Sequence, residues 1–242
     1  MPHAVVSREE WLEARKELLA KEKELTRARD RLNEARRALP WEPVTKEYSF
    51  ETTSGVKSLS ELFGDCSQLI VYHFMLAPDW EEGCVGCSFL ADHVDGAIAH
   101  LKAGDAAFVA ASRAPLDKIE AYKARMGWKF PWVSAGDSDF NYDYQASFRD
   151  EDVASGTIHY NYTEMPAMGD LKDLHGTSVF AKGEDGRIYH TYSTYARGAE
   201  QTLTTLMLLD LVPKGRNEEG TMNWVRRHDQ YEDAPKTASC CH

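Results

Sequence analysis

The sequence predicts an α/β domain with a central mixed sheet flanked by helices, preceded by a long N-terminal helical extension. Three observations carry this. Residues 69–76 (Leu69-Ile-Val-Tyr-His-Phe-Met-Leu76) are almost continuously apolar, the pattern of a central strand buried on both faces. An amphipathic run, 88–103, follows, with Phe89, Leu90, Val94, Ala97, Ile98 and Leu101 on one side. A second buried strand, 106–112, and a helix from Pro115 to Met126 come next, with Gly127 as its C-terminal stop. Strand, helix, strand, helix in that order implies a parallel βαβ core.

The extension comes first along the chain. Ser7 and Glu10 form a capping-box pattern, and Trp11, Leu18, Leu25, Leu32 and Leu39 recur every seven residues. Ala14, Ala28 and Ala35 fill a neighbouring row. The rest of the segment is dense in Arg, Lys and Glu, and Pro40 and Pro43 end it. This is a narrow apolar seam on a charged rod. It is expected to pack on the chain's own domain or on a twin helix, giving a homodimer, with a partner-docking helix as the alternative. Lys21 interrupts the second apolar row, which argues against a long independent coiled coil.

Residues 48–52 read as a short strand and 58–63 as one helical turn. Residues 128–162 are rich in aromatics and Asp but weakly periodic, and 130–134 reads as a short strand. Residues 140–144 read as a strand or a structured loop. Residues 177–181 and 187–192 are strands around Gly183-Glu-Asp-Gly186, a hairpin turn signal. A last helix is expected over 198–211, stopped by Pro213. The boundaries are 1–44 for the helical extension, 45–212 for the domain and 213–242 for a polar tail.

The 242 residues carry a formal net charge of −11, which argues against a nucleic-acid partner. A hydrophobic fraction of 43% beside 28% charged residues suits an ordinary core with a charged extension. No secretory signal and no membrane-length apolar run is visible, so the expectation is a cytoplasmic protein with no membrane partner. Five cysteines, Cys66, Cys84, Cys87, Cys240 and Cys241, are odd in number and unevenly spread, unlike a structural disulfide framework.

The most informative segment is Asp79-Trp-Glu-Glu-Gly-Cys84-Val-Gly-Cys87-Ser-Phe-Leu. A Cys-x-x-Cys between a strand and a helix puts a thiol among free backbone N–H groups, which favour the thiolate that attacks disulfides. Asp79, Glu81 and Glu82 precede the pair and oppose that charge. A redox role competes with metal binding and with two ordinary half-buried cysteines. A closed zinc site usually draws four ligands from two such pairs, and this chain has one Cys-x-x-Cys. No cofactor is expected.

The order of elements, with the thiols after the first central strand, resembles the thioredoxin fold. Further blocks carry the resemblance to one bacterial family. They are Tyr72-His-Phe-Met, the segment 79–92, Ser112-Arg-Ala-Pro-Leu116, Gly127-Trp-Lys-Phe-Pro-Trp132 and Ser138-Asp-Phe-Asn-Tyr142, with His190-Thr-Tyr-Ser-Thr-Tyr-Ala-Arg-Gly198 and Trp224-Val-Arg-Arg-His-Asp229 nearer the C-terminus. That family is thioredoxin-like, formerly of unknown function, and is regarded as a dithiol–disulfide oxidoreductase. The resemblance implies Cys84 as attacking thiol and Cys87 as resolving thiol. It also implies a residue facing the thiols at the start of the hairpin's first strand, where Gly176-Thr177 stands in place of the usual cis-proline.

The substrate-binding candidates are Trp80, His73 and Thr177. His73, on the strand feeding the thiol loop, is read either as a base near Cys84 or as a hydrogen-bonded core histidine. A thiol peroxidase is a further alternative, suggested by Pro78 before Cys84; Arg113 and Arg149 would be its cations, and the loop lacks the Thr or Ser such enzymes use. The aromatics at 128–144 are read as a second small core or a pocket wall. Cys240-Cys241-His242 is a dithiol able to carry electrons or a soft metal.

Overall fold

A computed structural model describes residues 3–231. The chain divides into a helical unit up to Trp41 and an α/β unit from Glu42. In the first, helix α1 (Arg8–Arg37) opens on the expected capping box: Glu10 N–H donates to Ser7 Oγ at 3.2 Å, and Ser7 N–H to Glu10 Oε2 at 2.9 Å. The helix buries none of its residues, and Trp11, Leu18, Leu25 and Leu32 are all exposed. Arg15–Glu22 and Lys16–Glu13 pairs support its charged faces.

The α/β unit begins with strands β1 (Glu42–Pro43), β2 (Ser49–Thr52) and β3 (Gly55–Ser58), then the single turn α2 (Leu59–Leu62), capped by Ser58 and Glu61. Strand β4 (Gln68–His73) leads through the thiol loop to α3 (Val85–Ala91) and α4 (Ile98–Ala103). Strand β5 (Ala106–Ser112), helix α5 (Leu116–Met126) and strand β6 (Trp132–Ser134) follow. Next come α6 (Phe140–Asp143), α7 (Asp150–Ala154) and the hairpin β7 (Thr157–Tyr160) and β8 (Thr163–Pro166). Strands β9 (Gly176–Lys182) and β10 (Ile188–Tyr195) and helix α8 (Thr204–Leu209) complete the named elements.

The sheet runs β1-β10-β9-β4-β5-β6-β2-β3, and β7-β8 stand apart. β4 is parallel to β5 and β5 to β6; β4 is antiparallel to β9 and β9 to β10. The core order β5-β4-β9-β10, two parallel strands followed by an antiparallel hairpin, is that of the thioredoxin fold. β4 is central because its side chains serve both faces. Leu69, Val71 and His73 face a core with Phe50, Phe140 and Phe180. Tyr72 and Phe74 face the other core, with Cys87, Leu90, Trp128 and Trp132.

Several segments depart from the periodicity reading. The helix expected over 88–103 breaks into α3, a 3-10 turn at Asp95–Ala97, and α4. The break frees two carboxylates: Asp92 accepts from Trp128 Nε1 at 2.8 Å, and Asp95 accepts the backbone N–H groups of Lys129 and Phe130. Residues 140–143 are a helical turn rather than a strand, packed through Phe140 against Tyr48, Phe50 and His73. The last helix is shortened, because Leu203 leaves helical geometry at ψ 78 between the 3-10 run Ala196–Thr202 and α8. Residues 214–231, read as polar tail, fold onto the domain: Val225 is buried and Trp224 packs against the core around Phe89. Cys240, Cys241 and His242 lie outside the described residues. No helix among the described residues is long and apolar enough to cross a membrane.

Candidate active site

The thiol loop is held from both ends. Cys84 N–H donates to Met75 O at 3.0 Å, and Met75 N–H approaches Cys87 Sγ at 3.5 Å. Ser88 Oγ donates to Cys84 O at 2.8 Å and lies 2.9 Å from Tyr122 Oη. Gly83 is required by packing: a Cβ there would sit 2.6 Å from Phe74 Cε1 and 2.7 Å from Tyr122 Cε1. Lys118 fastens the outer part of the loop, donating to the carbonyls of Pro78 and Trp80 at 2.7 and 2.8 Å.

Cys84 is the N-cap residue of α3 and is half-buried; Cys87, one turn on, is buried, and both are free thiols. Their environments separate them. The Cys87 thiol donates to the Cys84 sulfur and pulls its pKa down from the ordinary 9.0 to about 6. Burial opposes that shift, while the backbone N–H groups of Cys87 and Gly86 and the nearby His175 reinforce it. Burial pushes the Cys87 thiol well up, and the adjacent Cys84 thiolate pushes it further. Tyr72 donates its hydroxyl to Cys87; its own pKa is raised, first by burial and then by the thiols, so it stays protonated.

The acidic approach is neutralised in part. Glu82 pairs with Arg125, and with Arg227 at 2.8 Å. Arg227 also donates to Gly83 O at 2.7 Å and to Tyr122 Oη at 2.9 Å, and Asp229 holds Arg125 at 2.8 Å. Residues from the chain's last described segment therefore brace the thiol loop.

A cavity of about 280 Å³ opens beside the thiols. Tyr72, Cys84, Cys87 and His175 line it, and Leu90, Ala199, Leu203, Leu206 and Met222 supply its apolar wall. His175 immediately precedes β9. Its Nε2 lies 3.0 Å from Ala196 O, and Tyr160 braces both residues, donating to His175 O and accepting from Ala196 N–H. Gly176 is required next, because a Cβ there would sit 2.7 Å from the Tyr195 ring.

The structure brings Cys84 and Cys87 together on one cavity, and none of the other three candidates lines it. His73 is on the opposite face of β4, its ring nitrogens 2.9 Å from Asn141 Oδ1 and from Ser178 Oγ, stacked on Phe140. Burial lowers its pKa to about 4, and it is a core histidine rather than a base at the thiols. Period-two alternation explains the correction: Tyr72, not His73, shares a face with Cys87. Thr177 lies within β9, opposite Tyr72 in β4 and Thr194 in β10, and does not line the cavity; His175 takes the facing position. Among the described residues no peptide bond is cis. Trp80 lines a different depression, with Pro78, Arg113 and Asp173. Arg113 is held by Asp173 at 2.6 Å and Arg149 by Asp139 at 2.7 Å, and neither lines the thiol cavity. Among the described residues, no three His, Cys, Asp or Glu side chains are grouped to hold a metal ion.

A Cys-x-x-Cys at the start of the helix that follows the first central strand, on a β5-β4-β9-β10 core, defines a thioredoxin-like protein. The chain belongs to the family described as "Bacterial protein of unknown function (DUF899)", whose model matches residues 1–231. No curated protein matches it. Among solved structures it is similar to the peroxidoxin BcpB from Mycobacterium tuberculosis, at 15% identity and TM-score 0.45, over 70% of this chain and 97% of that one. It is also similar to a PrxQ mutant from Xylella fastidiosa, at 15% identity and TM-score 0.42, over 66% and 88%. A third is the mitochondrial 2-cys peroxiredoxin from Plasmodium falciparum, at 13% identity and TM-score 0.41, over 68% and 89%.

Proposed function

We propose that the protein is a thiol–disulfide oxidoreductase in which Cys84 attacks and Cys87 resolves. The observation that carries this reading is the asymmetry of the pair: an accessible thiol with a pKa of about 6 on a cavity wall, beside a buried thiol that keeps its proton. At neutral pH Cys84 is mostly thiolate. It displaces one sulfur of a substrate disulfide, which leaves as a thiolate, and a mixed disulfide forms on Cys84. Cys87 then gives up its proton and attacks Cys84 Sγ, so that a Cys84–Cys87 bond forms and the second substrate thiolate leaves. The substrate gains two electrons and the pair loses them. An external dithiol restores the reduced pair.

Redox titration of the protein against a dithiothreitol couple, read by mass spectrometry after alkylation, tests this. The expected result is a two-electron transition confined to Cys84 and Cys87 and abolished in Cys84→Ser. Two free thiols across the whole titration would remove the reading. The same preparations serve two controls. Peroxide turnover without a disulfide substrate would favour a thiol peroxidase, and a metal retained in native mass spectrometry would favour a ligand role.

A further inference from the structure

The cavity beside Cys84 is built for a particular kind of substrate. Its wall is apolar: Leu90, Ala199, Leu203, Leu206 and Met222. Its charged side chains, Arg197, Glu200 and Arg216, are already paired. Glu200 accepts from Arg197 and from Arg216, each at 2.6 Å, and Asp210 takes Arg216 at 2.8 Å. A charged substrate arm would have to break these pairs or enter an apolar wall without a partner. At about 280 Å³ the cavity holds the volume of about nine water molecules, so it fits a group of roughly that many non-hydrogen atoms and not a loop of another protein.

Backbone conformation adds an independent sign. Ala196 and Met222 are non-glycine residues at φ 47 and 57, and both line this cavity. Conformations of that kind persist where the surroundings force them and gather at ligand sites. Met222 also closes the cavity over the thiol helix: its Cε lies 3.8 Å from where a Gly86 side chain would begin.

Resting on the proposed oxidoreductase activity, we infer that the substrate is a low-molecular-weight disulfide whose attacked sulfur carries an uncharged apolar group, which lodges in this cavity. Attack by the Cys84 thiolate on R–S–S–R expels one R–S⁻ and leaves R–S on Cys84, with R against Leu203, Leu206 and Met222. Cys87 then displaces the second R–S⁻, closing the Cys84–Cys87 disulfide. Both thiolates take protons from solvent, and two R–SH are released for each pair oxidised.

Single-turnover oxidation of the reduced full-length protein by dipropyl disulfide and by the dianionic dithiodipropionate tests this, with free dithiothreitol as the reference thiol. The two differ in charge but little in chain length. Relative to the reference, the protein is expected to favour dipropyl disulfide at least about tenfold, the effect of burying roughly two methylene groups. Met222→Lys, which puts an ammonium on the wall to meet the carboxylates of dithiodipropionate, is expected to erase the preference, and Ala199→Val, which narrows the cavity, to reduce it. A ratio equal to that of free dithiothreitol overturns the inference, as does a preference that survives Met222→Lys in protein whose circular dichroism matches wild type. The titration against the dithiothreitol couple reads the oxidoreductase proposal separately, since it involves neither disulfide.

Discussion

Nη2 of Arg227 lies 2.7 Å from the carbonyl oxygen of Gly83, the residue before the proposed attacking thiol. The same guanidinium meets Glu82 and Tyr122, so one side chain joins the thiol loop, α5 and the C-terminal segment. Replacing Arg227 by Met keeps the apolar stem and removes these bonds. The loss of the partner of Gly83 O, and of one of the two partners of Tyr122 Oη, is expected to cost about 1–3 kcal/mol, read by urea denaturation of the reduced protein. Unchanged stability would mean that water replaces the guanidinium without cost.

Cys84 has a depressed pKa, so its reactivity has a definite pH profile. Alkylation by iodoacetamide is expected to rise with pH and reach half its plateau near the pKa of about 6, well below the 9.0 of an ordinary thiol. Stability follows the same linkage. A pKa lowered on folding stabilises the folded state fully above 9.0, and that contribution falls away as pH drops through 6. The stability of reduced wild type relative to Cys84→Ala should therefore increase between those values. A profile centred near 9 would contradict the assignment.

Tyr72 bonds Cys87 rather than Cys84, which separates its effect on the two steps. Removing the hydroxyl in Tyr72→Phe withdraws the group that favours the Cys87 thiolate. First attack on a disulfide should be nearly unchanged, and resolution should slow by about tenfold or more, the worth of a hydrogen bond to a charged group. Rapid acid quench with mass spectrometry would detect the mixed disulfide building up on Cys84. Equal slowing of both steps would point to a general loss of packing instead.

His73 is buried as the neutral ring, with its pKa down at about 4. Its neutral form supports the fold at pH above its ordinary value of 6.5, and that support fades as pH falls from 6.5 through 4. His73→Gln is expected to be less stable at neutral pH by about 1–3 kcal/mol. It should also lose less on acidification across that window than wild type does. Thermal melts between pH 7 and 4 would read both effects.

The strands and the thiol-bearing helix were legible because hydrophobic period and turn residues are local signals. The run 69–76 announced a central strand, and Gly127, at φ 71, announced the end of α5. The break in 88–103 was not legible. Asp92 and Asp95 sit on a helical period, and only their distant partners, Trp128 Nε1 and the backbone of Lys129 and Phe130, pull the helix apart. The thiols were legible from their spacing alone. Tyr72 could have been found by taking strand alternation to its conclusion, since His73 and Tyr72 must point to opposite faces. His175 and Met222 had no local signal; they reach the cavity by tertiary contact, and Met222 lies in a segment whose composition reads as polar tail.

The brace between Arg227 and Gly83 spans 144 residues of sequence. A ribosome adding roughly 5–20 residues per second takes about 7 to 30 seconds to cross that interval. Throughout it the thiol loop has emerged without its clasp, and the cavity lacks the wall that Met222 supplies. The thiol pair thus matures only once residues 222–227 have been made, and the nascent chain passes through a period in which Cys84 is open to whatever oxidant or thiol is at hand.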